Sequence, residues 1–534
     1  MTSGRDTSAM ERIDTLFFNG TLLTQDPRSP VASALAVAAG RIAAVGSLDD
    51  VGNLTGPTTR RIDLEGRTLI PGFNDAHVHV WKVGHLLTSM IDLHDVRSTA
   101  ELQETLRSAS RRLREGEWLL GRGYNEARIK EGRQPTRQDL DHAVSDRRVY
   151  LTRTCGHMGV ANSQALQAAG IDANTVDPPG GVIVRDESGE PTGLLQENAI
   201  DLMNQVIPEP TRTECRVMIE AASRHQHRLG ITSATDPGVR PTVLDAYRSL
   251  AEEKALYSRF DVMLLHEQGR DLNALRQGYQ SDFLRFDTIK FFADGGLSGA
   301  TAALRQAYRH SPTRGVMRLQ EDDLQELAGR AERDGFHVAT HAIGDAAIDM
   351  VLSVYQKLDK QRPRRRRRLE HFALPDALQV EKASRLRIHV ATQPAFLLSL
   401  GENFRRYLPE AYLSRCYPLG SLLQNGLDVA LSSDGPVVED DNPWLGIQAA
   451  VLRRDSKGAT IAPDESITVA QALYAYTMGG ALACGDASNR GSLSPGKWAD
   501  LVVLDRNPLE SDPHVLPEIE VERTYVAGNL VYER

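Results

Sequence analysis

A chain of 534 residues is long enough for a large core and more than one domain, and a formal net charge of −9 is modest for that length. This charge gives no electrostatic case for nucleic-acid binding. No apolar run is long enough to span a bilayer and the first ten residues lack the apolar stretch of a secretory signal, so the expected location is the cytoplasm.

The N-terminal part reads as short strands joined by turns. Residues 15–18 and 21–24 flank Asn19-Gly20, residues 34–37 and 41–45 flank Gly40, and 62–64 end at Glu65-Gly66, all of them hairpin signals. The rhythm then changes. Eight apolar, β-branched runs end in small or polar residues and alternate with helical patterns: 69–75, 231–236, 261–266, 289–294, 337–341, 368–371, 388–393 and 429–434. Strands alternating with helices predict a parallel sheet, and eight of them predict a closed (β/α)8 TIM barrel ahead of an open doubly wound sheet.

About 150 residues separate the first two runs, too many for one connection, which predicts an inserted lobe after strand 1. The lobe holds a helical pattern near 102–113, a strand-like stretch at 148–152 and a turn at 178–181. The basic run Arg364 to Arg368 reads as a solvated helix end before the sixth strand, because a lone basic run is a weak motif. Cys155, Cys215, Cys416 and Cys484 lack CxxC spacing and read as reduced thiols. The C-terminal stretch is again strand-rich, with 499–505 and a hairpin over 524–532. The predicted organisation is α/β: residues 1–67 with 490–534 as one small β-domain built from both termini, 68–80 with 229–489 as the barrel, and 81–228 as the lobe over its mouth.

Fifteen histidines are present, so position decides. Barrel active sites form at the C-terminal ends of strands. His77 and His79 follow the first run, and in extended backbone residues two apart point the same way, so both can reach one ion. Such a pair alone is weak, since two solvent-facing loop histidines read the same; the buried strand it closes favours ligands. Lys290 lies in an apolar strand, where a lysine is costly unless paired or neutralised. A salt bridge and carbamylation by CO2, which makes an anionic metal ligand, both stay open, and barrel context favours the second. His341 and His371 end the fifth and sixth runs; each alone would pass as a core histidine, but on successive strands facing His77 and His79 they read as ligands. Asp434 ends the eighth run, where a carboxylate can ligate a metal and hold a proton from water, or simply serve as a turn aspartate before Gly435-Pro436. His225 and His227 end a helical stretch at the wrong end of the second run and are expected at the surface. His266, ending the third run, stays open.

The order HxH, Lys, His, His, Asp on strands one, four, five, six and eight resembles the amidohydrolase superfamily. The closer likeness is to amidohydrolase family 3, the YtcJ-like group that contains N-substituted formamide deformylases. The motifs that carry it are residues 71–79, Gly156-His157 with Asn162-Ser163, 191–197, 230–233, 290–295, Glu370-His371, Gln393-Pro394, 433–435 and 496–505. Many relatives carry a Gly-Ser-Arg-Thr-Ala run after the strand-four Asp-Gly; here Ala300 stands at the arginine, which in relatives could meet a substrate anion.

The resemblance implies a β-sandwich for the composite domain and a metal-dependent hydrolase that cleaves a carbon–nitrogen amide-type bond, as in an N-substituted formamide or N-acyl compound, by metal-activated hydroxide. It implies two divalent cations, zinc first, with manganese, cobalt or iron as substitutes. His77, His79 and Asp434 would hold one, His341 and His371 the other, and carbamylated Lys290 would bridge them; the same set would serve a single ion. Asp434 would carry a proton to the leaving amine. Trp81 and Tyr124 are candidate apolar walls of the substrate pocket, and His157 is a candidate polar contact from the lobe. A small-molecule substrate is the expected partner, with no nucleic acid or membrane, and a homodimer is an open option. The competing readings are ester, lactone or carbamate hydrolysis and a catalytically silent metal-binding regulatory protein; the intact ligand set speaks against the last.

Overall fold

Eight parallel strands run in sequence order around a nearly closed sheet in the computed structural model, which describes residues 12–266, 279 and 281–534. They are β1 (Phe73–Asp75), β2 (Ile231–Val239), β3 (Arg259–Leu265), β4 (Leu284–Phe292), β5 (His337–Ala342), β6 (Arg367–His371), β7 (His389–Thr392) and β8 (Val429–Leu431). Strand residues such as Ile289, Val338, Leu369 and Val390 share one buried core with the helix residues Leu324, Val351 and Val380. Coverage by helices is why these strands read as apolar runs. β8 and β1 are tied just past their ends. The Asp434 N–H donates to the His77 carbonyl at 2.7 Å and the His79 N–H to the Gly435 carbonyl at 2.9 Å. Ser433 donates to Asp75 from its amide at 3.1 Å and its hydroxyl at 2.5 Å.

The run 69–75 is two strands in two sheets, a correction to its reading as one barrel strand. Thr68–Pro71 pairs with Leu501–Leu504 on one side and with Thr21 and Leu22 on the other; only Phe73–Asp75 enters the barrel. The break falls at Gly72, where a Cβ would lie 2.1 Å from Thr232 Oγ1. Glycine alone lets the chain pass that close to β2. Continuous apolarity hid the break because both halves are fully buried.

Strands from both ends of the chain form the second sheet, in the order Asn529–Glu533, Val521–Val526, Leu501–Leu504, Thr68–Pro71, Thr15–Leu23, Val31–Ala38 and Arg41–Gly46, with Arg60–Asp63 also on Thr15–Leu23. The sheet folds over, so that Phe17 meets Tyr525 edge-on at 5.1 Å around Leu22, Leu35, Leu69, Leu501 and Val503. Asn19-Gly20 is not the expected hairpin turn. Thr15–Leu23 is one strand whose register against Val31–Ala38 shifts between Phe18 and Leu22. Asn19 takes a φ of 59°, which a bulge needs as much as a turn does.

The lobe between β1 and β2 has its own six-stranded sheet, in the order Gly181–Arg185, Pro191–Glu197, Met158–Ala161, Val149–Arg153, Leu119–Tyr124 and Ile91–Asp92. Helix Val80–Thr88 leads into it and helix Arg212–Arg228 leads back. The returning helix carries His225 and His227, and their expected surface position needs correcting. His227 is buried, 2.8 Å from Ser258 Oγ, and His225 is half-buried, 2.6 Å from Asp441 Oδ1. Residues two apart on a helix face different ways, so the two cannot share an ion. All four cysteines are free and buried. Among the described residues no helix is long and apolar enough to cross a membrane.

Candidate metal centre

The C-terminal ends of the barrel strands bring His77, Lys290, His341, His371 and Asp434 together, each no more than 6% exposed. A nitrogen of His77, a nitrogen of His371 and a carboxylate oxygen of Asp434 lie within 4.8 Å of one another. Asp434 Oδ1 is 3.6 Å from His77 Nε2 and 3.4 Å from His79 Nε2. The His341 ring lies 4.4 Å from that of His371, centroid to centroid. Lys290 Nζ sits 4.5 Å from the Phe292 ring centroid with no hydrogen-bond partner. His77, His371 and Asp434 thus form the common group, and His79, His341 and Lys290 surround it.

Bonds on the far side of each ring set which nitrogen is free. His77 Nδ1 is 2.5 Å from Glu370 Oε2 and His371 Nδ1 is 2.7 Å from Gln393 Oε1. Gln393 is itself fixed by donating to Ser432 Oγ at 2.9 Å. His341 Nε2 donates to the Gly295 carbonyl at 3.1 Å. These partners accept hydrogen bonds, so the proton rests on the outer nitrogen and the lone pair on the inner one, Nε2 in His77 and His371 and Nδ1 in His341. Burial pushes His77 down to about 4 and holds His79, His341 and His371 well below the ordinary imidazole range. Neutral imidazoles are the form a metal requires.

Glu370 rests on Arg368, which donates to it at 2.8 and 3.0 Å and to the Ala76 carbonyl at 2.8 Å. Burial opposes ionisation of Glu370, but Arg368 and His77 outweigh it and hold the carboxyl well below the usual range. The basic run is therefore the solvated segment expected of it only at its start, where Arg364 is exposed. Arg366 meets Asp287 at 2.9 Å, Arg367 is buried on Glu332 at 2.7 Å, and Arg368 supports the centre. Motif reading passed over Arg368, Glu370 and Gln393 as site residues. An Arg-x-Glu spacing in a buried strand, which places both side chains on one face, was the available signal.

The backbone is strained here. His371, Phe372 and Asp434 take φ values of 72°, 46° and 57°, a region that costs a non-glycine residue roughly 1–3 kcal/mol. Adjacent strand residues normally point to opposite faces. The left-handed turn at His371 is what lets it reach the interior that Glu370 also serves.

His79 Nδ1, Lys290 Nζ and Asp434 Oδ1 are buried without hydrogen-bond partners. Unpartnered buried polar atoms are rare and costly, and Asp434 Oδ1 faces Nε2 of both His77 and His79. Burial pushes the Asp434 carboxyl up to about 7 and the Lys290 ammonium down to about 8. Imidazole nitrogens with a carboxylate are a donor set suited to a divalent cation, and the residues fit one.

The model of the amidohydrolase family matches residues 60–532. The chain belongs to the amidohydrolase family. It is 33% identical to the amidohydrolase-like protein YtcJ of Bacillus subtilis (strain 168), over 96% of this chain and 98% of that one. It is 32% identical to the N-substituted formamide deformylase of Arthrobacter pascens, over 98% of both. Among solved structures, an uncharacterized metal-dependent hydrolase from Pyrococcus horikoshii OT3 superposes with a TM-score of 0.77 at 28% identity, over 94% of this chain and 99% of that one. The chain is a metal-dependent hydrolase.

In this amidohydrolase the lobe closes over the centre. A cavity of about 30 Å³ is lined by Cys155, His157, Leu297, Phe396, Asp434 and Val437 among others. That volume holds a water but not a small molecule. His157 comes from the lobe, its ring 5.2 Å from that of His341 and its Nδ1 2.9 Å from Glu197 Oε2. Tyr124 lies elsewhere, fully buried in the lobe's apolar core with Leu93, Leu102 and Leu151. Trp81 packs against the barrel core, 6.2 Å from the His85 ring. Two larger hollows, lined by residues at the starts of β4 and β8, lie at the opposite end of the barrel and contain none of these groups.

Proposed function

We propose that this amidohydrolase cleaves a carbon–nitrogen amide-type bond in a small N-acyl or N-formyl compound. His77, His79 and Asp434 would hold one zinc ion and His341 and His371 a second, with Lys290, as its carbamate, a ligand available to both. Zinc in such a set supplies Lewis acidity, bringing water's pKa to about 7 and polarising a carbonyl. The observation that carries the reading is Asp434, a buried carboxylate with Oδ1 unpartnered and three imidazoles around it. Asp434 accepts the proton of the attacking water and delivers it to the leaving nitrogen. An amide needs that proton because an amine anion leaves poorly, whereas an alkoxide leaves more readily. The likeness to the Arthrobacter deformylase supports the same bond class.

Lys290 reaches its carbamate when the neutral amine adds to CO2 and one proton is lost; burial of Nζ favours the neutral amine this requires. His157, fixed by Glu197, is the lobe residue we carry forward as a substrate contact. Asp434→Asn tests the proposal: kcat should fall by about 10²–10⁴-fold, the range of general acid–base catalysis, with the fold kept by circular dichroism. Full activity in that variant would sink the proton role. Metal analysis with a panel of formamides, N-acyl amines and matched esters tests the bond. Metal-loaded protein that cleaves the esters and leaves every amide intact would remove the carbon–nitrogen reading.

A further inference from the structure

Seven arginines are buried among the described residues. Five face a carboxylate: Arg153 has Glu126, Arg259 has Asp500, Arg367 has Glu332, Arg368 has Glu370 and Arg490 has Asp261. Arg453 has none but donates to four backbone carbonyls. Arg122 has neither. It is 6% exposed, forms no ion pair among the described residues, and donates only to the Pro436 carbonyl at 3.3 Å and the Thr154 carbonyl at 3.5 Å. Those lengths lie beyond the usual range of N–H···O bonds. The carboxylate acting most on it is Asp434, which makes no ion pair with it and belongs to the metal centre; a guanidinium so buried and so poorly hydrogen-bonded is costly unless further negative charge reaches it.

Its position says where that charge comes from. Arg122 lies on the lobe strand Leu119–Tyr124, and its guanidinium sits between the backbone of Thr154 and that of Pro436. The residues next along, Cys155 and Val437, line the cavity together with Asp434. Gly156 leaves room beside it: a Cβ there would lie 3.2 Å from Nη2, at a φ of +73°. A second cation is close. Lys82 stands on the helix that follows His79, with no ion pair or hydrogen bond among the described residues. Its neighbour Val83 packs on Gly435, where a Cβ would lie 3.3 Å from Val83 Cγ2. Burial and the Arg122 charge push the Lys82 ammonium down to about 8, against the opposing pull of the Asp236 and Asp434 carboxylates, neither of which pairs with it. The turn after Asp434 is thus flanked by two cations without carboxylate partners, while Ala300 supplies no cation in the loop after β4.

We propose that Arg122, with Lys82 beside it, binds a carboxylate carried by the substrate, so that the compound hydrolysed is an N-acylated amino acid or similar anionic amide. The planar fork of Arg122 matches both oxygens of a carboxylate. This narrows the function proposed above and rests on it only for the bond that is cut.

Calorimetric titration of the metal-loaded full chain with N-benzoylglycine and with its neutral amide tests it without requiring turnover. The wild type should bind the carboxylate at least tenfold more tightly than the amide. Arg122→Gln should lose that preference and Arg122→Lys should keep part of it, with thermal unfolding as the check that each variant folds. Equal affinity of the wild type for both compounds overturns the proposal whatever the variants do. So does a full preference retained in Arg122→Gln, since the preference would then come from the metal. Assaying the same compounds for cleavage separates the two readings. Selective binding that depends on Arg122, with neither compound hydrolysed, upholds the anion site and sinks the carbon–nitrogen assignment.

Discussion

His77 is positioned by Glu370, and Glu370 by Arg368, so the aim of one imidazole depends on an ion pair two residues long within β6. Glu370→Gln should weaken metal binding by about 10–100-fold, the usual cost of losing a partner behind a metal-ligating histidine. It should also destabilise the fold by about 3–5 kcal/mol, because Arg368 is left buried without its counter-charge. Competition with a chelator and urea denaturation measure the two effects. A stability loss with unchanged metal affinity would show that Glu370 is structural only. Lys290 gives a second residue-scale prediction. Reconstitution with metal and bicarbonate should yield two metals per chain, and Lys290→Ala should bind one or none under the same conditions, read by elemental analysis.

Between elements, the closest approach in the lobe's entrance is backbone on backbone. A Cβ on Gly84 of helix Val80–Thr88 would lie 1.8 Å from the Met218 carbonyl oxygen of helix Arg212–Arg228. Gly84→Ala should therefore force the helices apart, at the roughly 1–3 kcal/mol typical of overpacking. Because His79 immediately precedes the first of these helices, metal affinity should fall as well; a variant of native stability and affinity would show the contact to be yielding. Elements of this kind were visible in the sequence where period and length spoke clearly. All eight barrel runs could be placed, and the strand ends pointed to the side chains that the structure brings together there. Gly72 and Asn19-Gly20 were misread because the sheet a strand joins, and whether a left-handed residue makes a turn or a bulge, depend on partners far along the chain. Arg366 to Arg368 were misread for the same reason: Asp287, Glu332 and Glu370 neutralise them only after the barrel has formed. At the site, His77, Lys290, His341, His371 and Asp434 declared themselves by residue type and place. Arg122, in contrast, is an unremarkable arginine until its burial and its missing partner are seen.

The molecule as a whole is joined by polar links between sheets. Arg259 on β3 grips Asp500 beside the terminal sheet at 2.6 and 3.1 Å, with both side chains buried. Arg259→Met should cost about 3–5 kcal/mol through the charge it strands on Asp500. Pairing it with Asp500→Asn should recover much of that loss, and a strictly additive double mutant would show that the pair is not coupled. Metal should stabilise the whole chain too, since the proposed ligands come from the segment after β1, from β4, β5 and β6, and from the loop after β8. At free metal a thousandfold above Kd the gain is about 4 kcal/mol, so chelation should lower Tm and restored metal should raise it in a concentration-dependent way.

Thr68–Pro71 has a strand from the beginning of the chain on one side and a strand from its end on the other. On the ribosome this arrangement imposes an order of events. Asp75 and His77 emerge early, but Ser433, which locks onto Asp75, follows 358 residues later, and Leu501–Leu504 later still. Through most of translation the first histidines have neither their barrel neighbour nor their sheet partner. A nascent chain therefore cannot make the Ser433–Asp75 link that joins β8 to β1 until the barrel sequence has emerged. The seam between β1 and β8 is thus one of the latest barrel contacts to form, although its first half is among the earliest residues made.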